Sequence, residues 1–416
     1  MRFVTICGFR SDSLVFLFVH GLAPMSEFKL DFQDTETAFA DKSDSELKEK
    51  YRLFKLLNSP LLNAIGTRSA KFALSLGLPV GGLIKSTIFE QFCGGETIEE
   101  CEQAVKKLGA AKIGAILDYS VEGKATEKDF DETKNEIIRT IDRAKNDPLV
   151  PFSVFKVTGV APLGTLERMS AKRKLDGKSQ AKCERIHSRV NEICEYAFTL
   201  GQPVFIDAEE SWIQDAIDRL VTEMMEKYNI EHPIVYNTFQ LYRKDRLQFL
   251  RESRRQAYAN GYILGAKLVR GAYMEKERQR AAEMGYESPI HDDKAATDED
   301  YNAAIDYCLK HLDEVAFVAG THNEKSAHAL ASKMDTLGVA RDHPYINFSQ
   351  LYGMSDNLSY VLAKNGYNVS KYVPYGPVGD AIPYLIRRAQ ENTSVTGQMS
   401  RELDLINKEL KRRNLV

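Results

Sequence analysis

Eight short apolar or β-branched runs recur from Ile113 onward, each followed by a longer charged stretch with helical spacing. They centre on Ile113 to Leu117, Phe152 to Val157, Pro203 to Ile206, Ile234 to Phe239, Gly265 to Val269, Ala316 to Ala319, Tyr345 to Phe348 and Val369 to Val373. Strand runs alternating with helices mark βαβ units and a parallel sheet. Eight units in about 290 residues match a (βα)8 barrel, whereas a doubly wound sheet stops at roughly five to seven strands. No Gly-x-Gly-x-x-Gly follows any of the runs, which disfavours a dinucleotide fold. The fold class expected is therefore α/β, a TIM-like (βα)8 barrel.

The barrel fills residues 108–400 in this reading. Before it, 25–107 shows helical periodicity broken by loops around Gly81-Gly82 and Gly94-Gly95, and reads as an N-terminal helical region. After it, 401–416 reads as a C-terminal helix whose basic residues, Lys408 to Arg413, face solvent. Residues 1–24 carry Arg2, Arg10 and the run Leu14 to Val19, and read either as a targeting leader or as an upstream extension of a start at Met25. That run falls well short of the ~20 apolar residues of a membrane span.

A chain of 416 residues, 43% hydrophobic and 28% charged, can bury one large core and an accessory layer. Its net charge of -3 excludes a general nucleic-acid role, which needs a concentrated basic face to displace counterions. The six cysteines form no C-x-x-C pair, so free thiols without a catalytic role are expected.

In such a barrel the active site forms where the strands end. The residues there are Asp118, Lys156, Asp207, Gln240, Lys267 with Arg270, His322, Gln350 and Tyr372. Strand ends carry charge simply by facing solvent, but eight in succession point to a polar mouth, and the cations among them to an anionic ligand. Past the eighth run, Tyr384, Arg387, Arg388 and Glu391 fall at i, i+3, i+4 and i+7, on one helix face. Two guanidiniums there can hold a carboxylate through parallel charge-assisted bonds, with Glu391 offsetting part of their charge. The alternative for that face is a solvated ion-paired surface.

The segments Lys267 to Tyr273 (KLVRGAY), Phe205 to Glu209 (FIDAE), Thr321 to Asn323 (THN) and Tyr384 to Asn392 (YLIRRAQEN) resemble the signature segments of proline dehydrogenases in order and spacing, across about Asp118 to Asn392. With no aldehyde dehydrogenase module after the barrel, the chain resembles the monofunctional branch. The resemblance implies FAD as cofactor and no metal. It implies FAD contacts at Asp207, Gln240, Lys267, Val269, Arg270, Gly271, Tyr273, Lys294, Thr297, Thr321, His322 and Glu391, with Asn323 beside them as a cap of the following helix. Gly271 would let the backbone approach the flavin, and Arg270 and Lys294 suit a pyrophosphate. Lys267 stands where other members carry arginine.

For the substrate, L-proline, the resemblance implies Lys156, Arg387 and Arg388 around the carboxylate, and Tyr372, Tyr384 and Leu351 against the ring. Asp118 and Tyr273 lie behind them, and Glu122 pairs with Arg387 as a gate. The implied reaction moves a hydride from C5 to flavin N5, yields 1-pyrroline-5-carboxylate and passes electrons to a quinone. It thus implies a peripheral membrane contact, on the matrix side in a mitochondrion, of an otherwise cytoplasmic protein, with a separate pyrroline-5-carboxylate dehydrogenase downstream. Members that prefer hydroxyproline carry a smaller residue at the Tyr372 position, so proline is favoured over hydroxyproline. Three other readings compete: a Schiff-base lyase using Lys156, a metal-dependent hydrolase using Asp207, Glu209, His322 and His328, and a non-catalytic scaffold.

Overall fold

The computed structural model describes residues 29–57, 88–120, 125–145, 147–173, 176–381 and 398–416. Before the barrel come α1 (Thr35–Ala38), α2 (Asp44–Leu57), α3 (Glu90–Phe92) and α4 (Glu102–Ala110). The barrel opens with β1 (Gly114–Tyr119), α5 (Glu127–Ala144), β2 (Phe152–Lys156), α6 (Leu163–Ser170) and α7 (Gly177–Leu200). It continues through β3 (Val204–Asp207), α8 (Ser211–Tyr228), β4 (Val235–Gln240), α9 (Arg246–Asn260) and β5 (Leu264–Val269). It then runs through α10 (Met274–Met284), α11 (Lys294–Leu309), β6 (Val315–Gly320), α12 (Glu324–Thr336), β7 (Ile346–Leu351), α13 (Asp356–Lys364) and β8 (Val369–Tyr375). A last described helix, α14, spans Gln398–Arg412.

All eight strands are parallel and pair in sequence order, and β8 closes on β1 with Ile116 opposite Tyr372. This is the expected (βα)8 barrel. Because successive side chains of a strand point to opposite faces, each strand serves two cores. Inside the barrel, Ile116, Phe152, Val154, Phe205, Tyr236, Ala316, Val318 and Tyr372 pack together, with Phe205 and Tyr372 nearly parallel at 6.4 Å between ring centroids. The residues of opposite parity, such as Ala115, Leu117, Ile206, Phe239, Leu268, Phe317 and Phe348, join the helix faces in the larger outer core.

Turn chemistry sets where the helices begin. Thr126 and Asp129 form a reciprocal capping box at the start of α5, Asp293 caps α11, and Asn323 caps α12 by accepting from the Lys325 and Ser326 amides.

A separate core joins the first and last described segments of the chain. Phe39, Leu47 and Phe54 of the N-terminal region pack with Phe89 and Phe92, and with Leu405, Ile406 and Leu410 of α14. The basic tail expected to be solvated is exposed at Lys408, Lys411 and Arg412, but part of it is engaged. Arg413 pairs with Glu409 at 2.7 Å and Asp44 at 3.1 Å and donates to the Lys42 and Phe39 carbonyls, while Lys408 donates to the Gln33 carbonyl. The amphipathic face of α14 brings these side chains to α2, which composition alone does not reveal. The helix also begins at Gln398, so a boundary at 400 cuts into it.

Candidate active site

Inward parity brings Asp118, Lys156, Asp207, Lys267 and Tyr372 to one place at the strand ends. Lys267 Nζ lies 2.5 Å from Asp207 Oδ1 and is hydrogen-bonded to the Tyr372 hydroxyl, and that hydroxyl lies 3.1 Å from the same carboxylate oxygen. The Lys267 ammonium also sits 4.1 Å from the centroid of the Tyr372 ring, within range of a cation–π contact. On the other side, Lys156 Nζ is 3.6 Å from Asp207 Oδ2 and 3.3 Å from Asp118 Oδ2. A chain of alternating charges thus crosses the mouth from β1 to β8. Burial would raise the Asp207 carboxyl, but the Lys267 and Lys156 ammoniums hold it below the ordinary carboxylate range. Burial likewise draws the Lys267 ammonium down, opposed by Asp207.

Behind this chain stands Glu209, two residues past Asp207 and 3% exposed. It accepts from the Thr158 amide at 3.0 Å and from the Thr158 hydroxyl, bracing the turn that follows Lys156. Burial pushes its carboxyl up to about 7 despite those bonds. The sequence marks Glu209 only as the last residue of the FIDAE segment and as a candidate metal ligand; its bracing role comes from a partner on another strand end.

Next to Glu209, Gln240 donates to the Glu209 carbonyl at 3.0 Å. Its Oε1 is a buried acceptor without a partner among the described residues. Gln350 differs: it faces outward, donating to the Thr321 carbonyl and accepting from the Ser359 hydroxyl, so it belongs to the wall and not to the mouth.

A second cluster forms where β5 and β6 end. Arg270 Nε meets Asp298 Oδ1 at 2.6 Å, its other nitrogens reach the Thr321 and Ser326 hydroxyls at 2.8 and 3.0 Å, and its guanidinium lies 4.3 Å from the Tyr301 ring centroid. Lys294 Nζ meets Asp298 Oδ2 at 2.5 Å. One carboxylate therefore joins the two cations expected to suit a pyrophosphate. Asp298 escaped the sequence reading, although its i, i+4 spacing from Lys294 was a usable signal. Thr297 sits on the first turn of α11 and Val269 closes β5. Tyr273 is the residue before α10, and Leu351 closes β7 against both the interior core and the chain-end core.

Thr321 and Asn323 are spent on local structure: the Thr321 hydroxyl accepts from the Asn323 amide, whose side chain caps α12. His322, between them, has Nδ1 2.8 Å from the Ser355 hydroxyl. Gly271 carries a constraint from the fold itself. Its φ is +136°, and a Cβ there would lie 2.4 Å from the Tyr242 ring, so this packing by itself demands glycine. Glu122, Tyr384, Arg387, Arg388 and Glu391 lie outside the described residues.

The metal-hydrolase reading fails on geometry. Asp207 is committed to two lysines and His322 to Ser355, and no group of three metal-binding side chains forms among the described residues. Lys156, the Schiff-base candidate, is shared between two carboxylates.

Comparison with known proteins identifies the family. The family model described as proline dehydrogenase matches residues 101–401. The carbapenem antibiotics biosynthesis protein CarD of Pectobacterium carotovorum is 36% identical, over 85% of this chain and 92% of that protein. The mitochondrial proline dehydrogenase 1 of Dictyostelium discoideum is 33% identical, over 92% of this chain and 75% of that protein. Among solved structures, proline utilization A of Bdellovibrio bacteriovorus, inactivated by N-propargylglycine, superposes with a TM-score of 0.68 at 19% identity, over 87% of this chain. The chain spans 38% of the length of that larger protein, and the likeness speaks for the fold. The family match over residues 101–401 and the 33% identity to a proline dehydrogenase across 92% of the chain, together with the closed eight-strand topology, carry one assignment: this chain belongs to the proline dehydrogenase family of oxidoreductases.

Proposed function

We propose that the chain oxidises L-proline to 1-pyrroline-5-carboxylate with FAD as its cofactor. The observation that carries this reading is the alternating charge chain at the mouth. Lys156 lies within reach of the solvent-facing end, between Asp118 and Asp207, where an incoming carboxylate finds a cation already oriented. Arg387 and Arg388 would complete that grip, with Tyr384 and Leu351 against the ring and Glu122 as the partner of Arg387. The Tyr372 hydroxyl, tied to Lys267 and Asp207, leaves little room for a ring substituent and so favours proline over hydroxyproline.

The residues present fit a flavin. The buried Gln240 Oε1, which has no partner among the described residues, suits an imide N–H, and Arg270, Lys294 and the N-termini of α11 and α12 suit a pyrophosphate. Asp207, Lys267, Val269, Gly271, Tyr273, Thr297, Thr321, His322, Asn323 and Glu391 would lie around it. When bound, FAD supplies the hydride acceptor for C5 of the substrate. The chain's own part is to clamp the carboxylate, hold the ring in register and exclude water. The amine is neutral as its C–H bond breaks, its proton passing to water.

Electrons then leave to a quinone, reached by peripheral contact with a membrane, and the imine product goes to a separate dehydrogenase. No described helix is long and apolar enough to cross a membrane, which fits a peripheral visitor.

An absorption spectrum of the purified protein before and after anaerobic L-proline tests the proposal. Flavin bands near ~450 nm that bleach with proline support it. A protein that binds FAD but does not bleach with proline overturns the substrate, and one that stays colourless with added FAD overturns the cofactor.

A further inference from the structure

Two loops that meet at His322 are held from outside the barrel by neighbouring residues of α14. His322 follows β6, and its Nδ1 lies 2.8 Å from the hydroxyl of Ser355, which follows β7. Ser355 is fully buried and adopts a left-handed backbone (φ +51°), a conformation that a non-glycine residue keeps only where its surroundings enforce it. Its amide donates to the carboxylate of Glu402 on α14, which is 1% exposed. One residue earlier, Arg401 pairs with Glu324 at 2.8 and 3.2 Å, and Glu324 begins the helix that starts two residues past His322.

The same carboxylate is set in a larger ionic frame. Asp356, next to Ser355, pairs with Lys50 of α2 at 2.6 Å and with Lys371 of β8 at 2.7 Å, and Lys371 donates to the Met354 carbonyl at 2.6 Å. Every member of this frame is buried. Both sides of the His322–Ser355 pair are therefore fixed to one helix, and the residue after Ser355 is fixed to the N-terminal region.

We infer that Glu402 is a positioning residue for His322, acting through the Ser355 amide and hydroxyl, so that the C-terminal helix sets the orientation of a side chain at the cofactor site. The inference rests on the proposed placement of His322 beside the flavin, but its first link, from Glu402 to His322, does not. Removing the Glu402 charge leaves two lysines against one carboxylate and loosens the Ser355 turn. Removing the Ser355 hydroxyl breaks the link while leaving the frame intact.

The test uses the full-length chain with 13C-labelled histidine. The His322 imidazole signal is identified by its loss in His322→Asn, and FAD affinity is followed by quenching of flavin fluorescence. In both Glu402→Gln and Ser355→Ala the imidazole signal should shift, and FAD should bind about tenfold more weakly, as expected for loss of one oriented hydrogen bond to a polar ligand group. Glu402→Asp should restore part of both. An unmoved signal in folded Ser355→Ala and Glu402→Gln overturns the inference. A signal that shifts while His322→Asn binds FAD normally supports the positioning link and overturns the flavin contact instead.

Discussion

Two buried ionic networks share strand β8, and they are built for different ends. Tyr372 points inward and joins Lys267 and Asp207 at the barrel mouth, whereas Lys371, one residue earlier, points outward and joins Asp356 and Lys50 under α2. Each network contains two lysines and two carboxylates, counting Asp118 with the first and Glu402 with the second. The mouth network reaches solvent at Lys156, whose side chain is 20% exposed, while no member of the wall network exceeds 5%. A network with an open end can exchange one partner for a ligand. A closed one can only hold the chain ends in place, since breaking a buried pair strands a charge in a medium that does not solvate it.

If this division holds, Asp356→Ala produces the largest loss of stability. Two buried ammoniums then lose the one carboxylate that bridges them, and the cost expected is about 3–5 kcal/mol. Urea unfolding reads it, and a cost below ~1 kcal/mol would mean that the wall network is hydrated rather than closed.

Asp207→Ala should invert the pattern. It also strands a lysine, but beside the open end, so water offsets part of the cost. The expected result is a smaller loss of stability than in Asp356→Ala together with a fall in kcat/KM for proline of about a hundredfold or more. Equal stability losses would erase the distinction between the networks.

Glu209 sharpens the comparison through pH. Burial holds its carboxyl near 7 in the folded protein, against 4.5 for the free side chain. The folded state thus keeps a proton that the unfolded state releases above pH 4.5. Its contribution to stability is complete below about pH 4.5 and is lost as pH rises through about 7, with a total of about 3 kcal/mol. In Glu209→Gln the fall of stability across that window should flatten. An unchanged slope would assign the dependence to another group.

The smallest effect belongs to Tyr372→Phe. It removes a hydroxyl bonded to both Lys267 and Asp207 but keeps the ring stacked on Phe205. About 1–2 kcal/mol of stability should go, with a relative gain in activity toward ring-substituted substrates. Steady-state rates with proline and hydroxyproline would show it.

Much of the mouth was legible because strand parity and strand ends are local properties. Asp118, Lys156, Asp207, Lys267 and Tyr372 were all found by counting to the end of an apolar run, and their convergence follows once the sheet closes. Gln350 shows the limit of that count: it sits one residue before the end of β7 and so faces the wall. Asp298 was within reach through its spacing from Lys294, since a helix turn relates them. At Gly271 the fold adds a constraint that no spacing rule reveals, since a Cβ there would meet the Tyr242 ring.

By itself, the sequence determined the alternation of strands and helices, the polar character of the strand ends and the family motifs, because each depends on residues close in the chain. Only the tertiary structure decided that Glu209 braces Thr158, that Ser355 is locked by Glu402, and that Lys50 and Lys371 share Asp356. Those contacts join segments between 15 and 306 residues apart, and their energies depend on burial that exists only after the chain has closed on itself.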